Sequence, residues 1–293
     1  MAHSIRGFES AELAATLPSP GPGTSAPRRG LRRPAGIVGL SLVCIILAIA
    51  VFAPWLTAFD PFLITGPSLA APSFAHLMGT DAIGRDLFSG ILFGSRASLL
   101  IAVAVGLLAM VCGVAIGSIA GFRGGMVDDL LMRITEAFQV LPRFFLVVVV
   151  IAVFGPGILR LVLILGFTSW PTLARVVRGE VIAIRQLDFV LASEALGASQ
   201  LHLIRHVLLP HVLPAVFVLL GLMMGQVLLI EASLGFIGLG DPSVITWGTL
   251  AGQADGFLRT GWWLALFPGL VITAAVLGLN LAGDALSSSL QGR

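Results

Sequence analysis

Six apolar segments divide the chain, at residues 36–58, 97–121, 130–154, 158–178, 212–237 and 262–285. Each is close to the ~20 residues that a helix needs to cross the hydrocarbon of a bilayer. The first is too long for the 7–15-residue apolar core of a signal peptide and starts too far from the N-terminus, so it counts as a span. The pattern predicts an all-α integral membrane protein with six transmembrane helices.

The polar stretch between the fourth and fifth segments, residues 180–214, carries Arg185, Asp188, Glu194 and Arg205. Each would cost roughly 2.5–3.5 kcal/mol at the centre of a bilayer, so the stretch lies outside the lipid. Within it Ile184, Leu187, Leu191 and Ala195 recur at helical spacing, as do Leu201, Ile204 and Leu208 beyond Gly197. Gly197 is the natural hinge, because a helix ends most easily on a residue that tolerates positive φ, and Ser199 is placed to cap the second helix. Residues 180–210 therefore form a helix-turn-helix elbow, a rigid knob offered to something outside the membrane.

Composition narrows the function. The chain is 57% hydrophobic and 11% charged, with a mean hydropathy of +1.02, against about 25% charged in soluble domains. Its 293 residues suit one bundle of spans and leave no room for a large soluble domain. All 17 basic residues are Arg, and without Lys neither a Walker A phosphate loop nor a Lys Schiff base can form. Cys44 and Cys112 fall inside apolar segments, where free Cys behaves as a small hydrophobe. The five His residues lack H-E-x-x-H spacing, so no metal site is expected. A net charge of +2 is too small to imply nucleic acid as a partner.

Residues 1–35 are rich in Pro, Gly, Ser and Ala, a composition that cannot bury a core, and are expected to be a disordered cytoplasmic tail. With both termini inside, Arg6, Arg28, Arg29, Arg32, Arg33, Arg123, Arg133, Arg175, Arg178, Arg185, Arg205 and Arg293 fall on the cytoplasmic side. Arg85, Arg96, Arg160 and Arg259 fall outside, and Arg143 is left within the third span. The asymmetry agrees with the positive-inside rule and puts the elbow in the cytoplasm. It also makes residues 59–96 an external segment and 286–293 a short C-terminal tail.

The run Ala192-Ser193-Glu194-Ala195-Leu196-Gly197-Ala198-Ser199, followed by Leu209-Pro210 and Pro214, resembles the cytoplasmic EAA loop of binding-protein-dependent ABC importer permeases. In that family the loop docks into a groove on the ATP-hydrolysing subunit. The Glu that names the motif falls six residues before the Gly; here that position is Leu191, with Glu194 three residues on and on nearly the same helix face. On the other side of the membrane stands Leu77-Met-Gly79-Thr80-Asp81-Ala-Ile-Gly84-Arg85-Asp86, then Ser89, Gly94, Arg96 and Ser98. By its residues alone Thr80 or Asp81 caps a helix, with Asp86 close to the positive end. The run is also similar to the L-G-T-D-x-x-G-R-D segment of the "C"-type subunit in the oligopeptide, dipeptide and nickel branch. With the Gly121-Phe-Arg-Gly-Gly125 turn and residues 233–240, the resemblance covers about residues 36–285.

The resemblance implies a type I ABC importer permease architecture, with residues 97–285 as the permease domain. It implies that Phe189, Leu191, Ala192, Ser193, Glu194, Gly197, Ala198, Ser199, Arg205 and Pro210 form the ATPase-coupling loop. The expected function is a plasma (inner) membrane permease subunit moving short peptides by alternating access, with nickel chelates or glutathione as alternatives. The expected partners are a homologous permease subunit, two ABC ATPase subunits, an external solute-binding protein and membrane lipid. ATP and Mg would sit on the ATPases, and this chain would bind no cofactor and perform no chemistry.

Several polar residues remain inside the bilayer. Arg133 and Glu136, three apart, can pair on one helix face. Arg143 follows Pro142, which kinks a helix; it either faces a watery cavity or snorkels toward the cytoplasm from a third of the way into its span. Glu231, near the external end of the fifth span, is either a gate or docking residue or a buried carboxylate satisfied by neighbours. Gly113, Gly117, Gly121 and Gly125 repeat every four residues, a spacing that lets backbones approach closely. An ion-coupled secondary transporter is the main rival reading, but no clear pair of internal repeats is present and the elbow would lack a purpose. A membrane-embedded enzyme would need Lys, clustered His or paired carboxylates in one segment.

Overall fold

The computed structural model describes residues 34–140 and 142–290. The expected N-terminal tail up to residue 33 with its Arg cluster, and the end of the C-terminal tail with Arg293, lie outside the described residues. The described chain is helical, with two isolated β-bridges, Ile64 to Arg85 and Thr80 to Asp86, in the external segment.

In order, the elements are α1 (Pro34–Leu56), α2 (Leu87–Arg123), α3 (Gly125–Val140), α4 (Arg143–Phe154), α5 (Ile158–Arg185) and α6 (Asp188–Ala195). Then come α7 (Gln200–His202), a π-helical turn (Leu203–Leu208), α8 (Leu209–Phe236), α9 (Trp247–Gly252) and α10 (Trp263–Leu290). Among the described residues five runs are long and apolar enough to cross a membrane: Pro34–Leu56, Leu87–Arg123, Ile158–Arg185, Leu203–Phe236 and Trp263–Leu286. The pair α3 and α4, bent by 71°, makes a sixth if it is counted as one broken span.

The kink expected at Pro142 is here a full break in the segment read as the third span, 130–154. Pro142 has extended backbone angles, φ −61° and ψ 120°. Its ring leaves no N–H for the helix and disfavours helical geometry in the residue before it, so α3 stops and α4 restarts. The 37-residue α2 also begins ten residues before its apolar segment, so that Ser89, Gly94 and Arg96 of the external segment lie on a helix.

The centre of the bundle is the contact between α2 and α5. Trp170, Leu173, Ala174, Val177 and Val181 of α5 are buried, and the small residues of α2 face them. A Cβ on Gly113 would lie 2.6 Å from Leu173 Cβ, one on Gly117 2.5 Å from the Ala174 carbonyl oxygen, and one on Gly121 2.8 Å from the Arg178 carbonyl oxygen. Glycine is therefore required along this seam, where backbones rather than side chains touch. Gly125 is different: it shares the turn between α2 and α3 with Gly124, at φ +54° and +64°, in open space. At the opposite side of the bundle α10 packs on α1 and α8, with Gly39 against Leu281 and Gly278 against Leu42.

Gly117→Val should lower stability by roughly 1–3 kcal/mol, the usual scale of overpacking. The check is the thermal unfolding midpoint of the detergent-solubilised protein. An unchanged midpoint would mean that α2 and α5 part easily.

Candidate functional site

The elbow begins where α5 ends. Leu187 turns the chain with φ −76° and ψ 143°, and α6 follows. Val190 on its inner face is fully buried, while Phe189, Leu191 and Leu196 are 45%, 50% and 89% exposed. Gly197 has φ +85° with nothing within 4 Å of where a Cβ would stand, and its N–H donates to the Glu194 carbonyl at 2.9 Å. The Ala198 N–H donates to the Ser193 carbonyl at 3.1 Å, and the Ser199 hydroxyl accepts from the His202 N–H at 3.3 Å. Hinge and cap thus form by the local chemistry that the residue types allow. Past the cap, Leu203 and Leu208 are buried while Arg205 and Pro210 are exposed. The π-helical turn precedes Pro210, whose missing N–H leaves the His206 carbonyl without its ordinary helical partner. Phe189 stacks at 5.5 Å on His211, tying α6 to the start of α8.

Arg185, the last residue of α5, anchors the elbow to the bundle. Its Nη1 donates to the Phe122 carbonyl at 2.5 Å, and its guanidinium lies 4.9 Å from the centre of the Phe122 ring. Its Nε lies 3.8 Å from Glu194 Oε1. Phe122 is in the last turn of α2, where carbonyls lack helical partners and a cation is favoured. Glu194 is therefore turned toward the chain's own body, while Leu191, at the position of the motif's Glu, is exposed. A second tie lies about two turns deeper: Arg178 of α5 grips Asp128 of α3 with Nε and Nη2, Nη2 to Oδ2 being 2.6 Å.

Arg133 and Glu136 form no ion pair within 4 Å, which corrects the expected pairing. Both are exposed on α3, and a base preceding an acid along a helix is the less favourable order. The Arg178–Asp128 pair spans 50 residues of sequence and was missed. The available signal was an Asp three residues after the Gly124-Gly125 turn.

The external motif is a set of interlocked turns. Thr80, fully buried, accepts from the Ala70 N–H at 2.8 Å and donates to the Pro67 carbonyl at 2.6 Å. Asp81 accepts from the N–H groups of Ile83 and Arg85 at 3.0 and 2.8 Å. Gly79 and Gly84 take φ +79° and +89°. The helix cap is Asp86 and not Thr80 or Asp81: it accepts from the Ser89 N–H and hydroxyl at 2.8 and 2.7 Å, and its other oxygen lies 2.9 Å from His76 Nδ1. Trp263 Nε1 donates to the Thr80 carbonyl at 3.0 Å, fastening the motif to α10. Leu87, Ile91, Leu250, Trp263 and Leu264 form a separate apolar cluster beneath it.

Glu231 is 4% exposed, at the meeting of α2, α8 and α9. The Ser98 hydroxyl donates to it at 3.3 Å and accepts from the Trp247 N–H at 3.1 Å, and Thr246 is also hydrogen-bonded to it. Trp247 Nε1 completes the junction by donating to the Ile91 carbonyl at 3.0 Å. In the loop before it, the Asp241 carboxylate accepts from the Ser243 hydroxyl and N–H, which hold its pKa below the usual carboxylate value.

Arg143 opens α4, and its Nη2 donates to the Thr172 hydroxyl of α5 at 3.0 Å. Gln139, Pro142, Arg143, Thr172, Arg175 and Val176 line an open groove of about 540 Å³ at the bend. Arg175, read from sequence only as a topology charge, shares this groove.

A bundle of apolar helices, with an elbow pinned at one end and a clamped segment of turns at the other, defines a multi-pass membrane protein. Residues 113–293 match the binding-protein-dependent transport system inner membrane component family, and residues 22–72 match the N-terminal transmembrane domain of oligopeptide transport permease C. The chain belongs to this family of permeases. It is 35% identical over 260 residues to a di/tripeptide transport system permease protein of Pseudomonas aeruginosa, covering 86% of each chain. It is 35% identical over 256 residues to a probable D,D-dipeptide transport system permease protein of Escherichia coli, again covering 86% of each. An oligopeptide transport system permease protein of Bacillus subtilis is 34% identical over 258 residues, 87% of this chain and 84% of that one. In fold, the chain resembles the inward-facing MetNI methionine ABC transporter with a TM-score of 0.58 at 20% identity, over 70% of this chain and 97% of that one. The fold class is that of a type I importer permease.

Asp86→Ala removes the α2 cap and the partner of His76, and should cost about 0.5–2 kcal/mol. Limited proteolysis should cut residues 57–86 faster in the variant. Equal cutting rates would show that the motif is not held by this carboxylate.

Proposed function

We propose that the chain is one permease subunit of an ATP-driven importer of short peptides in the plasma membrane, with both termini in the cytoplasm. The observation that carries this reading is the elbow: an exposed apolar tip, Leu191 and Leu196, on a helix pinned through Arg185 to the bundle. The named peptide permeases, similar over most of the chain, support peptides over nickel chelates or glutathione. A homologous permease is the mate, two ATPases dock at the elbow, and a solute-binding protein delivers from outside. ATP and Mg belong to the ATPases; this chain binds no cofactor and makes no bond.

When the ATPases close on ATP, the elbow travels with them. Arg185 passes the displacement to the end of α2, and the glycine seam makes α2 and α5 respond together. The cavity between the two permeases then changes the side to which it opens. Glu231 belongs to this framework, holding the external junction through which the loop before α9 is fixed.

Gly197→Asp should leave insertion and abundance intact and abolish uptake. Asp tolerates a left-handed conformation better than most residues, the space is open, and a charge is placed on the docking face. Normal uptake by this variant, in a complex that still copurifies with its ATPases, would defeat the docking role. Arg185→Ala should keep the complex assembled and lower peptide uptake per ATP hydrolysed several-fold. An unchanged ratio would remove Arg185 from the coupling route.

A further inference from the structure

We propose that the groove at the α3–α4 bend is a carboxylate-binding station on the translocation route, where Arg143 and Arg175 receive the free C-terminal carboxylate of a passing peptide. The inference rests on the peptide-importer reading and adds to it the chemical group that this subunit recognises.

The observation is an imbalance of charge. Among the described residues neither Arg143 nor Arg175 has a carboxylate within 4 Å, and the one hydrogen bond of Arg143 is to a neutral hydroxyl, Thr172 Oγ1. Three other arginines are satisfied: Arg178 by Asp128, Arg185 by the Phe122 carbonyl and Glu194, and Arg160 by the Gly155 and Pro156 carbonyls at 2.9 and 3.0 Å.

Position sharpens the imbalance. Arg143 is partly buried and Arg175 is exposed on the facing wall of the groove. An ionised group beside apolar spans faces a cavity or a partner. Arg143 is also the first residue of α4, where unpaired N–H groups add positive potential instead of relieving it.

The groove suits such a ligand. Its volume lies within the roughly 300–1,000 Å³ usual for small-molecule sites, and Gln139 adds a neutral amide to its rim. Guanidinium groups bind carboxylates with two parallel hydrogen bonds. The open side matters equally, since a transport station must release what it holds.

The test uses the full complex with its mate, ATPases and binding protein, reconstituted in phosphatidylcholine vesicles. Uptake of alanyl-alanine is compared with that of its C-terminal amide, both at saturation and expressed per loaded binding protein. A charged hydrogen-bonded contact implies that the free acid moves at least about tenfold faster than the amide in the unaltered complex. Arg143→Gln and Arg175→Gln should each lower the rate of the free acid toward that of the amide, leaving the amide rate unchanged, and Arg175→Lys should recover part of the loss. Free-acid uptake unaffected by either variant would overturn the proposal and leave the peptide reading standing. Equal losses for both peptides, with weaker copurification of the mate, would assign the arginines to an acidic side chain of the mate and also overturn it. A tenfold gain of the unaltered complex on adding phosphatidylglycerol, absent in the variants, would assign them to a lipid phosphate. Failure of the unaltered complex to take up either peptide would sink the peptide reading itself.

Discussion

Backbone contact between α2 and α5 sets the geometry of the molecule. Lipid tails are as apolar as leucine, so helices in a membrane gain little from hiding hydrophobic side chains and much from close approach. Gly113, Gly117 and Gly121 supply that approach along three turns, against Leu173, the Ala174 carbonyl and the Arg178 carbonyl. Side chains elsewhere are free to differ in size; here a single methyl group would collide. The two helices consequently behave as one body, and what is attached to either end shares its position.

At the elbow end the attachment is ionic and aromatic. Arg185 joins the α2 terminus, the Phe122 ring and Glu194 of the elbow in one contact. Its side chain is 41% exposed and that of Glu194 34%, so the ion pair alone contributes little. The carbonyl bond and the ring give it direction. At the opposite end the attachment is a mesh of neutral and charged hydrogen bonds, with Asp86 capping α2 and Trp263 holding the Thr80 carbonyl. One end can therefore pass on a push while the other resists it.

Much of this was legible in the sequence, and the legible parts are local. Apolar length marked the spans, Gly197 and Ser199 marked the hinge and cap, and the glycine spacing marked the seam, because each is fixed by stereochemistry within one or two helical turns. Tertiary partnerships were not legible. Arg178 finds Asp128 across 50 residues and Glu231 finds Ser98 across 133, and no periodicity encodes which helix faces meet. The pairing of Arg133 with Glu136 failed for the complementary reason: proximity on a helix permits a contact without enforcing it. Pro142 announced a kink, but its size, 71°, depends on what α3 and α4 each pack against.

One wall of the groove and the anchor of the elbow lie on the same helix, α5. Thr172 and Arg175 belong to α5, and Arg185 at the end of that helix lies only about 15 Å further along it. Arg143, by contrast, stands on α4 beyond the bend, joined to α5 here by one hydroxyl contact. A displacement of the elbow carried through α5 would therefore move one wall of the groove against the other. The spacing of the two guanidinium groups would change with it, and with that spacing the hold on any carboxylate between them. Coupling of this kind needs no long relay of side chains, because the helix that is pushed is also the helix that binds.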